Sequence, residues 1–146
     1  MLVEDNSWVY GKLVNDTRDA VVVADTNGVL QLWNTGAESI FGYTAKEALG
    51  QPLDLIIPDR FRDRHWDGYK RVMNTAHTKY DTELLAVPAQ TKDGRRISIE
   101  FTITLLQDDA GELHGIGAII RDVTDHRNED NNIREQLSEL KKRLVD

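Results

Sequence analysis

The chain contains no cysteine, which excludes disulfide frameworks, thiolate metal sites and thiol nucleophiles together. Three prolines and ten glycines in 146 residues are too few for a collagen-like or low-complexity chain. Positive charge is in the minority, 18 Lys and Arg against 25 Asp and Glu for a net charge of -7. A nucleic-acid binder neutralises phosphates with clustered cations, so neither DNA nor RNA is an expected partner. The one basic cluster, Arg60, Arg62 and Arg64, is interrupted by Asp63 and Asp67 and reads as a solvated helix face. No apolar run approaches membrane-spanning length, and Met1-Leu2-Val3-Glu4-Asp5 lacks the basic start and apolar stretch of a signal peptide. Together these absences predict a soluble, cytoplasmic chain without membrane contact.

What remains is globular: 40% hydrophobic and 29% charged residues, at a length that suits one domain with its own core. Trp8, Val9, Leu13 and Val14 gather on one side of a short leading helix. Ala20 to Ala24 and Val29 to Trp33 are apolar, extended runs separated by Thr26-Asn27-Gly28, the pattern of a hairpin. Asn34 stands at an N-cap position before Ala37, Ile40 and Phe41, and Gly42 follows as a C-cap. Thr44-Ala45-Lys46-Glu47 is a capping box that opens a second short helix. Pro58-Asp59 begins a longer amphipathic helix to about Met73, since proline is tolerated in a first turn and Asp complements the helix dipole.

Three strands follow. Leu84 to Val87 forms one, Lys92-Asp93-Gly94-Arg95 turns the chain, and Ile97, Ile99, Phe101, Ile103 and Leu105 alternate on one face of the next. After Asp108-Asp109-Ala110-Gly111, the run Gly115 to Ile120 supplies a fifth strand. Ile133, Leu137, Leu140 and Leu144 are then spaced as a coiled-coil seam of about two heptads. The alternative is an amphipathic helix docked on its own domain. Boundaries are expected at 1–14 for the leading helix, 15–124 for the core and 125–146 for the C-terminal helix.

In this order the chain closely resembles the PAS (Per-Arnt-Sim) sensory family. Trp33-Asn34, Ala37-Glu38, Phe41-Gly42-Tyr43-Thr44, Glu47 and Leu49-Gly50 look like the family's first half. Lys92-Asp93-Gly94 resembles its central hairpin, and Arg121-Asp122-Val123-Thr124 its terminal signature. The resemblance implies an α+β fold: a five-stranded antiparallel sheet flanked by short helices, with amphipathic helices at both ends. It implies a pocket that holds haem, flavin, a small metabolite or nothing, and a homodimer that signals through its flanking helices. Asp122 and Thr124 would hand the last strand to the helix bearing the seam. The effector, a histidine kinase, a cyclic-di-GMP enzyme or a transcriptional regulator, would lie outside this stretch. Without cysteine, the thiol chemistry of photoactive-yellow and flavin-adduct light sensors is not available.

On the longer helix, His65, Tyr69 and Val72 fall at about 40°, 80° and 20° from Phe61 at roughly 100° per residue, with Gly68 at the stripe's edge. The histidine is therefore placed toward the core, where an imidazole must be hydrogen-bonded or metal-ligated. The surrounding string from Pro58 to Tyr69 is similar to the helix that carries the proximal histidine of oxygen-sensing haem PAS domains. That resemblance would make His65 an axial ligand of haem b, with Gly68 giving the porphyrin room and Tyr69, Leu84 and Leu85 around it. An ungapped count puts Thr82, Glu83, Leu84 and Leu85 on the facing strand, with no arginine or methionine there, so a bound gas would lack a hydrogen-bond donor. A hydrogen-bonded core histidine is the other reading of His65. His77, His114 and His126 lack metal-site spacing and read as surface residues. Trp33 and Trp66 read as packing residues. No nucleophile-base pair or converging carboxylates are apparent, and Gly115-Ile116-Gly117 lacks the remainder of a dinucleotide site. The chain is therefore not expected to be an enzyme.

Overall fold

The computed structural model describes residues 6–78 and 84–145. Helix α1 (Ser7–Asp16) precedes an antiparallel hairpin of β1 (Ala20–Asp25) and β2 (Leu30–Trp33). Gly28 takes φ +79° in the turn, a conformation open to glycine without steric cost. Asn34, 2% exposed, does more than cap α2 (Thr35–Phe41). Its Oδ1 accepts from the Ala37 and Val21 amides at 2.9 and 2.8 Å, and its Nδ2 donates to the Val14 and Asp19 carbonyls at 2.7 and 3.0 Å. One buried amide thus ties α1, β1 and α2 together, with its polar groups satisfied as burial requires.

The Thr44–Glu47 capping box forms as expected at α3 (Ala45–Ala48). Two 3₁₀ turns, Leu53–Ile56 and Asp59–Phe61, lead into α4 (Arg62–Thr75). The helix expected from Pro58–Asp59 to Met73 therefore opens as a tighter turn, with the Arg62 amide donating back to Asp59. Such turns are frequent at helix N-termini.

Strands β3 (Leu85–Gln90), β4 (Arg96–Gln107) and β5 (Leu113–Asp122) complete an antiparallel sheet of order β2-β1-β5-β4-β3. Because side chains alternate across a strand, register decides which residues share a face. Val22 lies opposite Ala118 and Ala118 opposite Ile103, so these three point to the same side. Leu30, Trp33, Ala37, Phe41, Ala48 and Ile56 form the core beside that face. Trp33 packs there, its ring 5.4 Å from Phe41 and its Nε1 donating to the Tyr43 carbonyl at 2.9 Å.

Helix α5 (Thr124–Val145) leaves the end of β5. The Ser98 amide donates to Thr124 Oγ1 at 2.9 Å, and Thr124 Oγ1 donates to Asp122 Oδ1 at 2.5 Å. The helix start is thereby fastened to β4 as well as β5. Beyond it the seam residues are open: Ile133, Leu137 and Leu140 are each more than half exposed and Leu144 is 86% exposed. The alternative of a helix docked along its own domain is not adopted. Among the described residues no helix is long and apolar enough to cross a membrane.

Candidate functional site

Between the concave sheet face and α4 lies a cavity of about 610 Å³, within the roughly 300–1,000 Å³ range of small-molecule and cofactor sites. The sheet contributes only apolar side chains, among them Val22, Ala24, Val87, Ile99, Ile103 and Ala118. Helix α4 contributes Arg64, His65, Gly68, Tyr69, Arg71, Val72 and Thr75, so the polar groups stand almost entirely on one wall.

Tyr69 is fixed by its hydroxyl, which donates to the Asp25 carbonyl at 2.5 Å. Burial first, and then the charge of Asp25, push its phenol pKa well up. Trp66 anchors the same edge of α4: its Nε1 donates to Asp54 Oδ1 at 2.6 Å. Its ring lies so close over Gly28 that a Cβ there would sit 2.2 Å from it. The packing role expected of Trp66 is thus seen.

His65 lines the cavity with its ring 4.8 Å from Trp66 and 5.6 Å from Tyr69. Burial lowers its pKa below 6.5, opposed by the Asp54 charge. The hydrogen-bonded core histidine expected from sequence is not found: buried Nδ1 has no partner among the described residues. The ring's close neighbours are the Trp66 and Tyr69 rings, and the nearby Asp54 carboxylate is bonded to Trp66 instead.

Of the residues expected at the site, His65, Gly68, Tyr69 and Leu85 line the cavity. Leu84 does not. It precedes β3, is 60% exposed, and has the opposite parity to Leu85, Val87 and Ala89, which do line it. Thr82 and Glu83 lie outside the described residues. Phe61, assigned to the His65 stripe, sits in the 3₁₀ turn beneath the Arg60 guanidinium, 4.6 Å from its ring centre. Arg64, Arg71 and His77, read as solvated, prove to border the cavity. The spacing of Arg64, Gly68, Arg71 and Thr75, four, three and four residues apart, was the available signal. Outside the cavity lining, Asp108, Glu112 and His114 bring their ligand atoms within 4.8 Å of one another on the surface. Asp108 and His114 are bonded to each other at 2.9 Å.

A porphyrin iron held by His65 asks for volume, an imidazole facing it, and an acceptor behind the other ring nitrogen, which iron-bound histidines nearly always have. Volume and orientation are present, and Gly68 leaves open space at its Cβ position. The acceptor is missing among the described residues, and the sheet wall offers no side-chain donor to a bound gas. The residues present therefore fit a porphyrin in size but do not complete its iron site.

The family model described as PAS fold matches residues 14–128. The sensor protein FixL of Bradyrhizobium diazoefficiens is 32% identical over 126 residues, 84% of this chain and 24% of that protein. A blue-light photoreceptor of Listeria innocua is 28% identical over 134 residues, 90% of this chain and 51% of that protein. The crystal structure of a PAS domain from Colwellia psychrerythraea has a TM-score of 0.72 at 24% identity, covering 83% of this chain and 99% of that one. That likeness bears on the fold alone, and the chain spans about a quarter to a half of these two curated relatives.

Proposed function

Because the chain belongs to the PAS family, whose domains are sensory modules of signal-transduction proteins, we propose that it is a ligand-sensing domain whose site is the cavity under α4. The cavity itself carries the reading. A ligand-free transmission module gains by filling its core, since voids cost packing energy, whereas about 610 Å³ is left beside a helix bearing both of the site's arginines and His65. Ligand contacts would act on α4 and on the cavity face of β5. The strand's end at Asp122 would pass the change through Thr124 to α5. The exposed Ile133, Leu137, Leu140 and Leu144 seam supports a homodimer as the form that relays it to an effector. The effector is a histidine kinase, a cyclic-di-GMP enzyme or a transcriptional regulator. With no cysteine, a flavin in this cavity could form no thiol adduct.

Nile red, a neutral apolar dye, tests the cavity directly. It should bind with enhanced fluorescence, and Val72→Trp, which fills the space from α4, should abolish the enhancement while leaving the circular dichroism spectrum unchanged. Equal fluorescence in both proteins, or none in either, would leave a transmission module. In parallel, a sharp Soret band after haem addition, lost in His65→Ala, would instead establish a haem site ligated by His65. For the relay, Leu137→Asp should convert a sedimenting dimer to monomer, and an unchanged dimer would remove the seam from the mechanism.

A further inference from the structure

The cavity is polar on one edge only, and that edge has a pattern. Arg64, Gly68, Arg71 and Thr75 follow one another along α4 and all border the cavity. The two arginines are exposed and yet border the cavity, which places them at its rim, where such a side chain can lay its stem on apolar surface and keep its charge in water. Among the described residues neither guanidinium has an ion pair, whereas Arg62, Arg95 and Arg121 are held by Asp59, Asp93 and Asp19. The Thr75 hydroxyl is already spent on the Arg71 carbonyl at 2.8 Å. Gly68, midway between the arginines, leaves open space where a side chain would be. The result is a bare slot flanked by two cations roughly 10 Å apart along the helix. Beyond it, the sheet wall is wholly aliphatic apart from Phe101.

We infer that the ligand is a long-chain alkyl carboxylic acid, with its carboxylate in the slot between Arg64 and Arg71 and its chain against the sheet. This rests on the ligand-sensing reading above. A carboxylate matches the guanidinium fork geometrically and electrostatically, while an amine head would meet two like charges and a neutral head would leave both cations unanswered. A flexible alkyl chain asks no directional contact of the wall it lies on, and that wall provides none. The imidazole of His65, with no acceptor behind Nδ1, serves here as part of the apolar surround.

Calorimetry with octanoate, decanoate and dodecanoate, each below its aggregation limit, tests the inference together with dodecanol and dodecylamine. Each pair of added methylenes should tighten Kd by about tenfold, and dodecanoate should bind at least about tenfold more tightly than dodecanol, as a charge-assisted hydrogen bond implies. The Arg64→Gln/Arg71→Gln double variant should lose the preference for the acid over the alcohol and still bind Nile red, which shows its cavity intact. Equal affinity for dodecanoate and dodecanol overturns the inference, as does an acid preference that survives the double variant. Nile red binding without binding of any acid overturns it while the sensing reading stands. Failure of both dye and acids overturns the two together.

Discussion

On its sheet side the cavity meets Val22, Ala24, Ile103 and Ala118, held in place by the antiparallel ladders that join β1, β5 and β4. On its helix side it meets Arg64, His65, Tyr69 and Arg71, carried by one helix that shares no ladder with anything. The sheet wall therefore determines the shape of the space, and the helix wall determines its chemistry. Substitutions on the first should register as stability, and on the second as ligand preference and pH response.

The sharpest break of this contrast lies in the sheet itself, at a glycine next to the cavity-lining Ile116. Gly115 has φ +157°, and a Cβ there would lie 2.2 Å from the Ala24 carbonyl oxygen. Gly115→Val should thus force β5 from β1 and cost about 3 kcal/mol or more, read as a lower urea midpoint. A loss near zero would mean the ladder is more pliable than its register implies.

Next in size is the pH response of His65. Burial places its folded pKa below 6.5, so the unfolded chain binds more protons between that value and 6.5. Stability from this group is whole above 6.5 and declines as pH falls toward the folded pKa. The exposed His114, raised by its bond to Asp108, acts in the opposite sense. It cancels when wild type is compared with His65→Gln. The wild type should lose a few degrees more of Tm than the variant between about pH 7.5 and about 5.5. Parallel profiles would mean the ring is solvated in solution.

Smallest, and opposite in sign, is Gly68→Ala. The residue is mid-helix with nothing within 4 Å of its Cβ position, so alanine should stabilise by about 0.5–1 kcal/mol. The gain should appear as a higher Tm, and in the acid-binding series dodecanoate should weaken because the slot is narrowed. A stabilised protein with unaltered dodecanoate affinity would detach the slot from the ligand.

The two walls also differed in how far they could be read from sequence. Strand alternation places Ile97, Ile99, Phe101 and Ile103 correctly because a period of two leaves only two faces to choose between. The caps at Asn34 and Thr44 were equally plain, since each is settled within four residues. The helix wall was harder. Placing His65 and Tyr69 inward was right, but the arginines were assigned to solvent by their charge, although a rim residue belongs to both cavity and water. Leu84 went astray because an ungapped count cannot know where β3 begins. The partnerless Nδ1 was beyond reach as well. It turns on the tertiary surroundings of the ring, among them the Trp66–Asp54 bond across 12 residues, which no local pattern encodes.

Trp66 and Tyr69 fasten one edge of α4 to Asp54 and Asp25, while among the described residues no side-chain bond of Arg64 or Arg71 ties the opposite edge to the sheet. A rod held along one side has a single easy motion, rotation about that side, like a door on its hinge pins. In the sensing reading proposed above, a ligand that enters beneath the free edge would turn the helix rather than lift it, so that occupancy would become an angle.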